Sequence, residues 1–279
     1  MKPGNFDEII GLNGAKNGPK SIILVGVHGN ETCGVDAFAN LLPTMKIDNG
    51  TVWFAYGNPR AIKTNARFTE ANLNRMFKRD DELTETDRKS YEYKRAQFLK
   101  QYLDQADVLL DLHASFTPEA KPFVLCEKNA LAIVECLPFD LMVVGFDDVE
   151  PGGTDYYMNK IGKIGICAEC GYLDDPESTE RAEKTILNFL TVRGHTTGEL
   201  TKNKLEYIKM YELYITKTDK FTLAKLFKDF EEIKAGEMIG TDGKEIIKAT
   251  KDSIILFARD RSEANDEAFL LGEKLNSLA

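Results

Sequence analysis

Residues 21–34 of the chain read SIILVGVHGNETCG, and this stretch decides the prediction of the fold. Its first part, from Ser21 to Leu24, is apolar and rich in β-branched residues, which is typical of a buried strand. Residues 33–42, which follow it, are apolar at helical spacing. His28 therefore lies where a strand ends, and Glu31 is predicted in the first turn of a helix. The pattern indicates a strand–turn–helix unit of an α/β protein.

A second apolar run, residues 108–112, ends at His113 and predicts a parallel neighbour of the first strand. In open α/β sheets, sites form beyond the carboxyl ends of the strands. Two histidines and one glutamate are a ligand set found in hydrolytic zinc sites. We therefore predict that His28, Glu31 and His113 bind one Zn²⁺ and leave a position open for water. The alternative is that each histidine is an ordinary hydrogen-bonded residue near a strand end.

The chain contains 3 histidines, and the third, His195, lies in a polar stretch. We expect His195 on the surface, outside the metal site. Asp111 precedes His113 by two residues, so the two side chains share one face of their strand. Asp111 is therefore interpreted either as an acceptor that orients His113 or as a cap of the next turn.

A third strand-like run, residues 164–171, contains Glu169. A charge within an apolar strand is costly unless it has a partner. Beside a metal, Glu169 would be a general base acting on water, and the alternative is a salt-bridged structural residue. Cys167 and Cys170 in the same run have the spacing of a redox pair. Such pairs usually open a helix, so we regard a thiol redox function as the weaker hypothesis.

Residues 58–79 contain six basic side chains in a protein whose net charge is −9. Arginine is suited to two-point contact with a carboxylate, so one interpretation is an anion site near the metal. Asn74 and Arg75 would then clamp a substrate carboxylate, and Arg67 would stabilise an oxyanion. The alternative is a solvated basic face. The six residues are Arg60, Lys63, Arg67, Arg75, Lys78 and Arg79.

Composition limits the classes of function. Of the 279 residues, 43% are hydrophobic and 29% are charged, which is typical of a globular protein in water. The acidic net charge argues against binding to nucleic acids or anionic membranes. We find no run of membrane-spanning length and no signal-peptide core at residues 1–8. The 5 cysteines are few and odd in number, so we expect reduced thiols and a cytoplasmic location.

The character of the chain changes near residue 198. Before it, strand-like and helical patterns alternate, and after it β-branched and aromatic residues predominate. We predict a catalytic domain at residues 1–197 with a mixed, mostly parallel sheet flanked by helices. A smaller all-β domain is predicted at residues 198–279.

Five motifs, taken in order, resemble the succinylglutamate desuccinylase/aspartoacylase family, which is related to zinc carboxypeptidases. They are HGNE at 28–31, NPRA at 58–61, NLNRMF at 72–77, DLH at 111–113 and ECG at 169–171. The resemblance covers most of residues 21–175, and KAGE at 234–237 resembles the family's β domain. It implies a zinc-carboxypeptidase-like fold and hydrolysis of the amide bond of a small N-acyl amino acid.

The resemblance also implies a role for each matching residue. His28, Glu31 and His113 would hold zinc, Glu169 would be the general base, Arg67 would polarise the scissile carbonyl, and Asn74 and Arg75 would bind the substrate carboxylate. Two departures stand out. Asn72 replaces the family's usual aspartate, and no arginine lies between Arg95 and Arg181. Aspartate-specific relatives use an arginine from that region for a second carboxylate, which argues against N-acetylaspartate as the substrate.

Two other hypotheses stay open beside the zinc-dependent deacylase. One is a carboxypeptidase that acts on short peptides. The other is a catalytically inactive, zinc-containing protein that binds carboxylates, against which the intact Glu169 and Arg67 argue. The oligomeric state is left open, a homo-oligomer included.

Overall fold

A computed structural model describes Asp7 and residues 9–278. The strands are β1 (Ile9–Asn13), β2 (Lys16–Val25), β3 (Asn49–Tyr56), β4 (Val108–Ser115), β5 (Phe123–Cys126), β6 (Leu141–Val144), β7 (Ile164–Tyr172), β8 (Glu206–Ile215), β9 (Phe221–Leu223), β10 (Glu231–Ile233), β11 (Met238–Asp242), β12 (Glu245–Lys248), β13 (Ser253–Leu256) and β14 (Glu267–Leu275). The helices are α1 (Cys33–Leu41), α2 (Pro59–Thr64), α3 (Glu85–Lys89), α4 (Tyr91–Leu103), α5 (Leu131–Val134), α6 (Phe146–Val149), α7 (Thr154–Lys160) and α8 (Ser178–Val192). Single 3₁₀ turns cover Leu73–Arg75, Asp80–Glu82 and Lys128–Ala130.

Within the described residues, eleven strands form one sheet in the order β1-β3-β2-β4-β7-β5-β6-β8-β14-β13-β10. Its centre, β3-β2-β4-β7, is parallel throughout. Antiparallel pairs occur where β1 joins β3 and where β5 joins β7. The prediction of a mixed, mostly parallel sheet flanked by helices is therefore confirmed for the part of the chain before residue 198.

Helices cover both faces of the parallel centre. Ile23 and Val25 of β2 pack in one core with α1 and α8, and Ile22 and Leu24 pack in a second core with α4. All four side chains are fully buried. A strand buried on both faces needs apolar residues at every position, which explains the unbroken apolar run in the sequence.

After residue 198 the described chain contains strands and loops without a helix, as predicted. β8 pairs parallel to β6, and β14, β13 and β10 follow it antiparallel. β9, β11 and β12 form a separate three-stranded sheet. Strands from both sides of residue 198 belong to one sheet, and the division into domains at residues 1–197 and 198–279 stays a prediction.

None of the described helices combines the length and the apolar character that crossing a membrane requires.

The prediction that His195 lies on the surface is wrong. Its side chain is fully buried and connects the strands β2 and β3. The Asn49 carbonyl can only accept, so Nδ1 of His195 donates to it over 2.9 Å, and Nε2 accepts from the Ser21 hydroxyl over 2.8 Å. Burial lowers the pKa of His195, which agrees with a neutral ring. The polar residues around His195 suggested exposure, but the chain after α8 turns back across the ends of two strands.

Candidate active site

Three neighbouring parallel strands bring the predicted ligands and the predicted base to one edge of the sheet. His28 follows β2, His113 lies near the end of β4, and Glu169 on β7 pairs in register with His113. Glu31 lies in the turn that leads into α1, two residues before the helix begins, and not in its first turn as predicted. All four side chains are at most 7% exposed. The strand-end geometry therefore places them in one buried site.

The atoms that could bind a metal converge. Nδ1 of His28 lies 2.8 Å from one Glu31 carboxylate oxygen, and Nδ1 of His113 lies 2.8 Å from the other. One ligand atom from each of the three residues lies within 4.8 Å of the others. The two imidazole rings meet edge to face, with centroids 5.1 Å apart. This arrangement is the right size to enclose one ion, although it does not by itself assign the residues as ligands.

The proton on His28 is placed by Asn72. The Asn72 Oδ1 accepts from the backbone N–H of Asn74 over 3.0 Å, which fixes the orientation of the amide. The same oxygen lies 3.0 Å from Nε2 of His28 and can only accept, so Nε2 carries the proton. Burial lowers the pKa of His28 to about 4, so the ring is neutral near pH 7. Nδ1 then carries a lone pair and faces the Glu31 carboxylate without a hydrogen bond. This is the arrangement expected of a nitrogen that binds a cation.

His113 is held by carboxylates on both sides. Its Nε2 lies 3.2 Å from the Asp111 carboxylate, which also accepts a hydrogen bond of 2.6 Å from Thr154. Burial opposes protonation, but Cys167, Asp111 and Glu31 together hold the pKa of His113 well above its usual range. Nε2 of His113 makes no hydrogen bond at this distance, so the interpretation of Asp111 as the acceptor that orients His113 stays a prediction. A hydrogen bond between the two would fix the ring so that Nδ1 points at a metal.

Glu169 faces the same pocket without a salt bridge among the described residues. The pocket is lined by both histidines, Glu31, Arg67, Asn74, Arg75 and Glu169. One carboxylate oxygen of Glu169 is buried and has no hydrogen-bond partner. Burial, and then the neighbouring Glu31, raises the pKa of Glu169 to about 8. A salt-bridged structural role therefore does not describe this residue, and its role as a general base stays a prediction.

Arg67 reaches the site because its loop packs closely on the turn after β2. Its Nη1 donates to Glu31 over 3.0 Å, and its carbonyl accepts from the Gly29 backbone N–H over 3.2 Å. A Cβ atom at Gly29 would lie 2.0 Å from the carbonyl carbon of Ala61. Only glycine allows this approach, which brings the Arg67 loop next to the ligand turn.

Glu92 of α4 anchors the same loop, and sequence reasoning missed it. Its fully buried carboxylate accepts from the backbone N–H of Thr69 and Ala71 at 2.8 and 3.1 Å. It also accepts from the Thr69 hydroxyl at 2.6 Å and from the Asn58 amide at 3.1 Å. In the sequence Glu92 resembles any acidic residue in the first turn of a helix, so no local signal could have found it.

We expect Glu92→Gln to lower the free energy of unfolding by roughly 3 kcal/mol, the upper end for hydrogen bonds to a charged group. Burial opposes the charge of Glu92, but hydrogen bonds from Thr69 and Asn58 lower its folded-state pKa below the ordinary value of 4.5. Its stabilisation is therefore complete above the unfolded pKa and is lost as pH falls through the folded pKa. Urea unfolding at neutral and acidic pH tests this prediction.

The control is Glu85→Gln, because Glu85 is exposed and pairs only with Lys89 across one helical turn. That variant should change the free energy of unfolding by less than about 0.5 kcal/mol. Equal stability of the two variants would contradict the role of Glu92.

The predicted carboxylate clamp lies in the pocket, but Arg75 already holds protein carboxylates. Its Nε and Nη2 each lie 2.7 Å from a Glu267 oxygen, and Nη2 also contacts Glu150. The side-chain oxygen of Asn74 is buried without a partner, so it is available to an N–H or O–H donor of a ligand and not to a carboxylate. Binding of a substrate carboxylate by Arg75 stays a prediction, and it requires Glu267 or Glu150 to give way.

Three of the other four basic residues of the loop lie on a solvated face, as the alternative interpretation predicts. Arg60, Lys63 and Arg79 are more than half exposed in their side chains and pair with surface acids. Hence residues 58–79 contain both a solvated face and two guanidinium groups directed into the pocket.

The two cysteines of β7 point in opposite directions. Cys167 packs in the core shared with the C-terminal strands, whereas Cys170 packs beneath α1 and α8. Residues three apart in a strand lie on opposite faces, so this pair cannot form a disulfide. Cys167 also groups with His113 and Glu169 as a second ligand set. Burial raises the pKa of the Cys167 thiol, and because only a thiolate binds metal, the set with Glu31 fits better.

The sequence matches a known family over most of this region. Residues 17–193 match the model of the succinylglutamate desuccinylase/aspartoacylase catalytic domain. The "N-acyl-aromatic-L-amino acid amidohydrolase (carboxylate-forming) B" of Danio rerio is 35% identical over 181 residues, 57% of this chain. A succinylglutamate desuccinylase of Pseudomonas aeruginosa is 33% identical over 76 residues, 25% of this chain. These matches cover 55% and 22% of the two relatives, so this chain spans about half their length or less.

Solved structures support the fold. The succinylglutamate desuccinylase of Vibrio cholerae superposes with a TM-score of 0.77 at 19% identity, over 94% of this chain and 83% of that one. Because the identity is low, this likeness extends to the architecture alone, including the C-terminal β region.

Proposed function

This chain belongs to the succinylglutamate desuccinylase/aspartoacylase family, and on that premise we propose that it is a zinc-dependent hydrolase of small N-acyl amino acids. Its relatives are deacylases and amidohydrolases. The observation that carries the proposal is the convergence of three buried ligand atoms beside the unpaired Glu169 carboxylate.

The residues present fit a zinc ion. His28 and His113 would each contribute Nδ1, and Glu31 would contribute a carboxylate oxygen. The outer nitrogen of His28 is hydrogen-bonded to Asn72 and that of His113 lies 3.2 Å from Asp111, while Nδ1 of each ring is directed at Glu31. A bound zinc would supply Lewis acidity, which lowers the pKa of a coordinated water and polarises a carbonyl.

Proton transfer is proposed for Glu169. Its carboxylate would take a proton from the attacking water as the water oxygen bonds to the amide carbon. As the C–N bond breaks, Glu169 would give that proton to the leaving amine, so that the products are a carboxylic acid and a free amino group. Burial raises the pKa of Glu169 toward neutrality, which favours both transfers.

Arg67, Asn74 and Arg75 would orient the substrate. Arg67 has one nitrogen on Glu31 and can donate to the oxyanion that develops beside it. The unpartnered Asn74 oxygen and the Arg75 fork would hold the rest of the amino acid, with the substrate carboxylate displacing Glu267 from Arg75.

A hydrolysis screen tests the proposed function. The protein would be reloaded with zinc and incubated with a panel of N-acetyl, N-propionyl and N-succinyl amino acids, while release of the free amine is measured. Dipeptides in the same panel test the carboxypeptidase hypothesis. We expect hydrolysis of acyl amino acids that is lost on chelation and restored by zinc. The proposal would be overturned by activity on dipeptides alone, or by the absence of any hydrolysis that depends on metal.

We expect Asn72→Leu to weaken zinc binding roughly 10- to 100-fold, as is typical when a partner of a metal-binding histidine is lost. Leucine cannot accept the proton of His28 Nε2, so the ring would no longer be held with Nδ1 inward. Asn72→Asp restores an acceptor and should bind zinc at least as tightly as the wild type. Competition with a chromophoric chelator measures the affinities, and unchanged affinity of Asn72→Leu would remove Asn72 from the site.

A further inference from the structure

Two residues of β4 and two of β7 place four polar side chains on one face of the sheet. Asp111 pairs in register with Cys167, and His113 pairs in register with Glu169. Because side chains two residues apart share one face of a strand, these four form a square of groups that can bind a metal. Asp111 is fully buried, and the other three line the pocket of the candidate active site. An ion in the pocket can therefore reach them.

Three of these side chains have ligand atoms close enough to enclose one ion. One such atom from each of His113, Cys167 and Glu169 lies within 4.8 Å of the other two. All three residues are at most 7% exposed. We call this group the cysteine set, and we call the group of His28, Glu31 and His113 the two-histidine set. Within the described residues, these are the two groups of this kind.

The cysteine set contains buried polar atoms that the folded chain leaves unpaired. Nε2 of His113 and one carboxylate oxygen of Glu169 have no hydrogen-bond partner among the described residues. One oxygen of the neighbouring Asp111 is also unpaired, whereas its other oxygen accepts a hydrogen bond from Thr154. Burying a polar atom without a partner is unfavourable. A cation held between these atoms would give them the partner that the protein does not.

The two sets favour different ions. The two-histidine set offers two imidazole nitrogens and a carboxylate oxygen, whereas the cysteine set has a sulfur in place of one imidazole. Sulfur is a soft ligand that selects soft metal ions, and imidazole with carboxylate suits zinc. Binding to Cys167 exchanges the thiol proton for the ion, so that an S–H bond is replaced by an S–metal bond and one proton is released. The exchange needs no oxidant.

One imidazole serves both sets. A neutral histidine ring has one nitrogen lone pair and one N–H, so His113 can bind an ion in either set but not in both at once. An ion in the cysteine set would also engage Glu169, the carboxylate assigned to proton transfer. Occupation of one set therefore excludes the other.

We propose that His113, Cys167 and Glu169 form a second metal site, selective for soft divalent cations, that competes with the two-histidine set. The site itself does not depend on hydrolysis, and only its effect on turnover rests on the proposed function. A soft ion bound there would stop turnover, because it withdraws His113 from the zinc ligands and Glu169 from proton transfer. The identity of the bound metal would then decide whether the chain is active.

Cadmium titration of the full chain, after a chelator has removed bound metal, tests the site. A thiolate bound to Cd²⁺ gives a charge-transfer band in the ultraviolet, which nitrogen and oxygen ligands do not give. We expect this band in the wild type, complete at one Cd²⁺ per chain. Cys167→Ser should lack the band and bind Cd²⁺ at least roughly tenfold more weakly, because losing even a partner of a ligand costs that much. Its zinc affinity should stay close to that of the wild type.

His28→Ala is the reciprocal variant, since it removes a ligand from the two-histidine set alone. It should lose zinc affinity and keep the cadmium band. Cys170→Ser is the matched control, because Cys170 lies on the opposite face of β7 in an apolar core and belongs to neither set. It should also keep the band. Thermal unfolding verifies that each variant is folded, and Cys167→Ala, which places no hydroxyl in the core, replaces Cys167→Ser if the serine variant does not fold.

Inhibition links the site to turnover. Cadmium added to zinc-loaded protein should inhibit hydrolysis of the preferred acyl amino acid. Cys167→Ser, compared with its own uninhibited rate, should need at least roughly tenfold more Cd²⁺ for the same inhibition.

The outcomes separate this site from the proposed function. The site would be overturned by a wild-type cadmium complex without the thiolate band, by a band that persists in Cys167→Ser, or by loss of the band in His28→Ala. Each of these results would leave zinc-dependent hydrolysis intact. Absence of hydrolysis across the whole substrate panel would overturn the proposed function, and the titrations would still decide whether the cysteine set binds a metal.

Discussion

Glu169→Gln is expected to lower turnover of the preferred acyl amino acid by roughly 10²- to 10⁴-fold, the usual contribution of a general base. The amide is nearly isosteric with the carboxylate but cannot accept a proton from water. Because Glu169 lies outside the group formed by His28, Glu31 and His113, zinc content should stay at the wild-type level. The loss should therefore appear in kcat at saturating zinc.

The measurement pairs steady-state kinetics with elemental analysis of the same preparations. Glu180→Gln is the control, because Glu180 is an exposed acid in the first turn of α8, away from the pocket. It should keep wild-type turnover. A Glu169→Gln protein with near-normal turnover would assign the base to another residue. A Glu169→Gln protein that loses its zinc would show that Glu169 affects turnover by holding the metal.

Arg67→Met is expected to lower kcat by roughly 10²- to 10³-fold, the cost of removing one donor to a developing oxyanion. Methionine preserves much of the length and apolar contact of arginine but donates no hydrogen bond. The effect should fall on kcat more than on KM, because the charge on the oxygen develops as the reaction proceeds. Arg67 has one nitrogen 3.0 Å from Glu31, which places a donor beside the ligand cluster.

Arg67 could instead serve only to hold Glu31 in position, and the two roles predict different results. A purely positioning role would weaken zinc affinity in Arg67→Met, and added zinc would restore turnover. Stabilisation of an oxyanion predicts a low kcat that saturating zinc does not restore. Chelator competition and kinetics at several zinc concentrations distinguish them, and full recovery of kcat would remove Arg67 from the reaction.

The local pattern of the sequence was enough to predict the strand ends that build the site. Apolar runs before His28, before His113 and around Glu169 predict strands, and parallel strands present their carboxyl ends at one edge of the sheet. The motifs in the same segments were sufficient to identify the family. These features lie within short windows, where periodicity and residue type determine local structure.

Contacts between distant parts of the chain could not be predicted from local sequence patterns. Arg75 meets Glu267 across 192 residues, so the sequence could predict a clamp but not the carboxylates that already occupy it. Glu92 resembles an ordinary charged residue until folding brings it beneath the Arg67 loop. His195 sits among polar neighbours in the sequence and is nevertheless buried.

Sequence by itself therefore determined the strand–turn–helix units, the family and the residues that gather at the sheet edge. Tertiary structure decided which charges have partners and which do not: Asn72 orients His28, Glu267 occupies Arg75, and Glu169 has no salt bridge among the described residues. The physical reason is that periodicity reports which face of an element is apolar, whereas the pairing of a charge depends on groups that only the folded chain brings within hydrogen-bond distance.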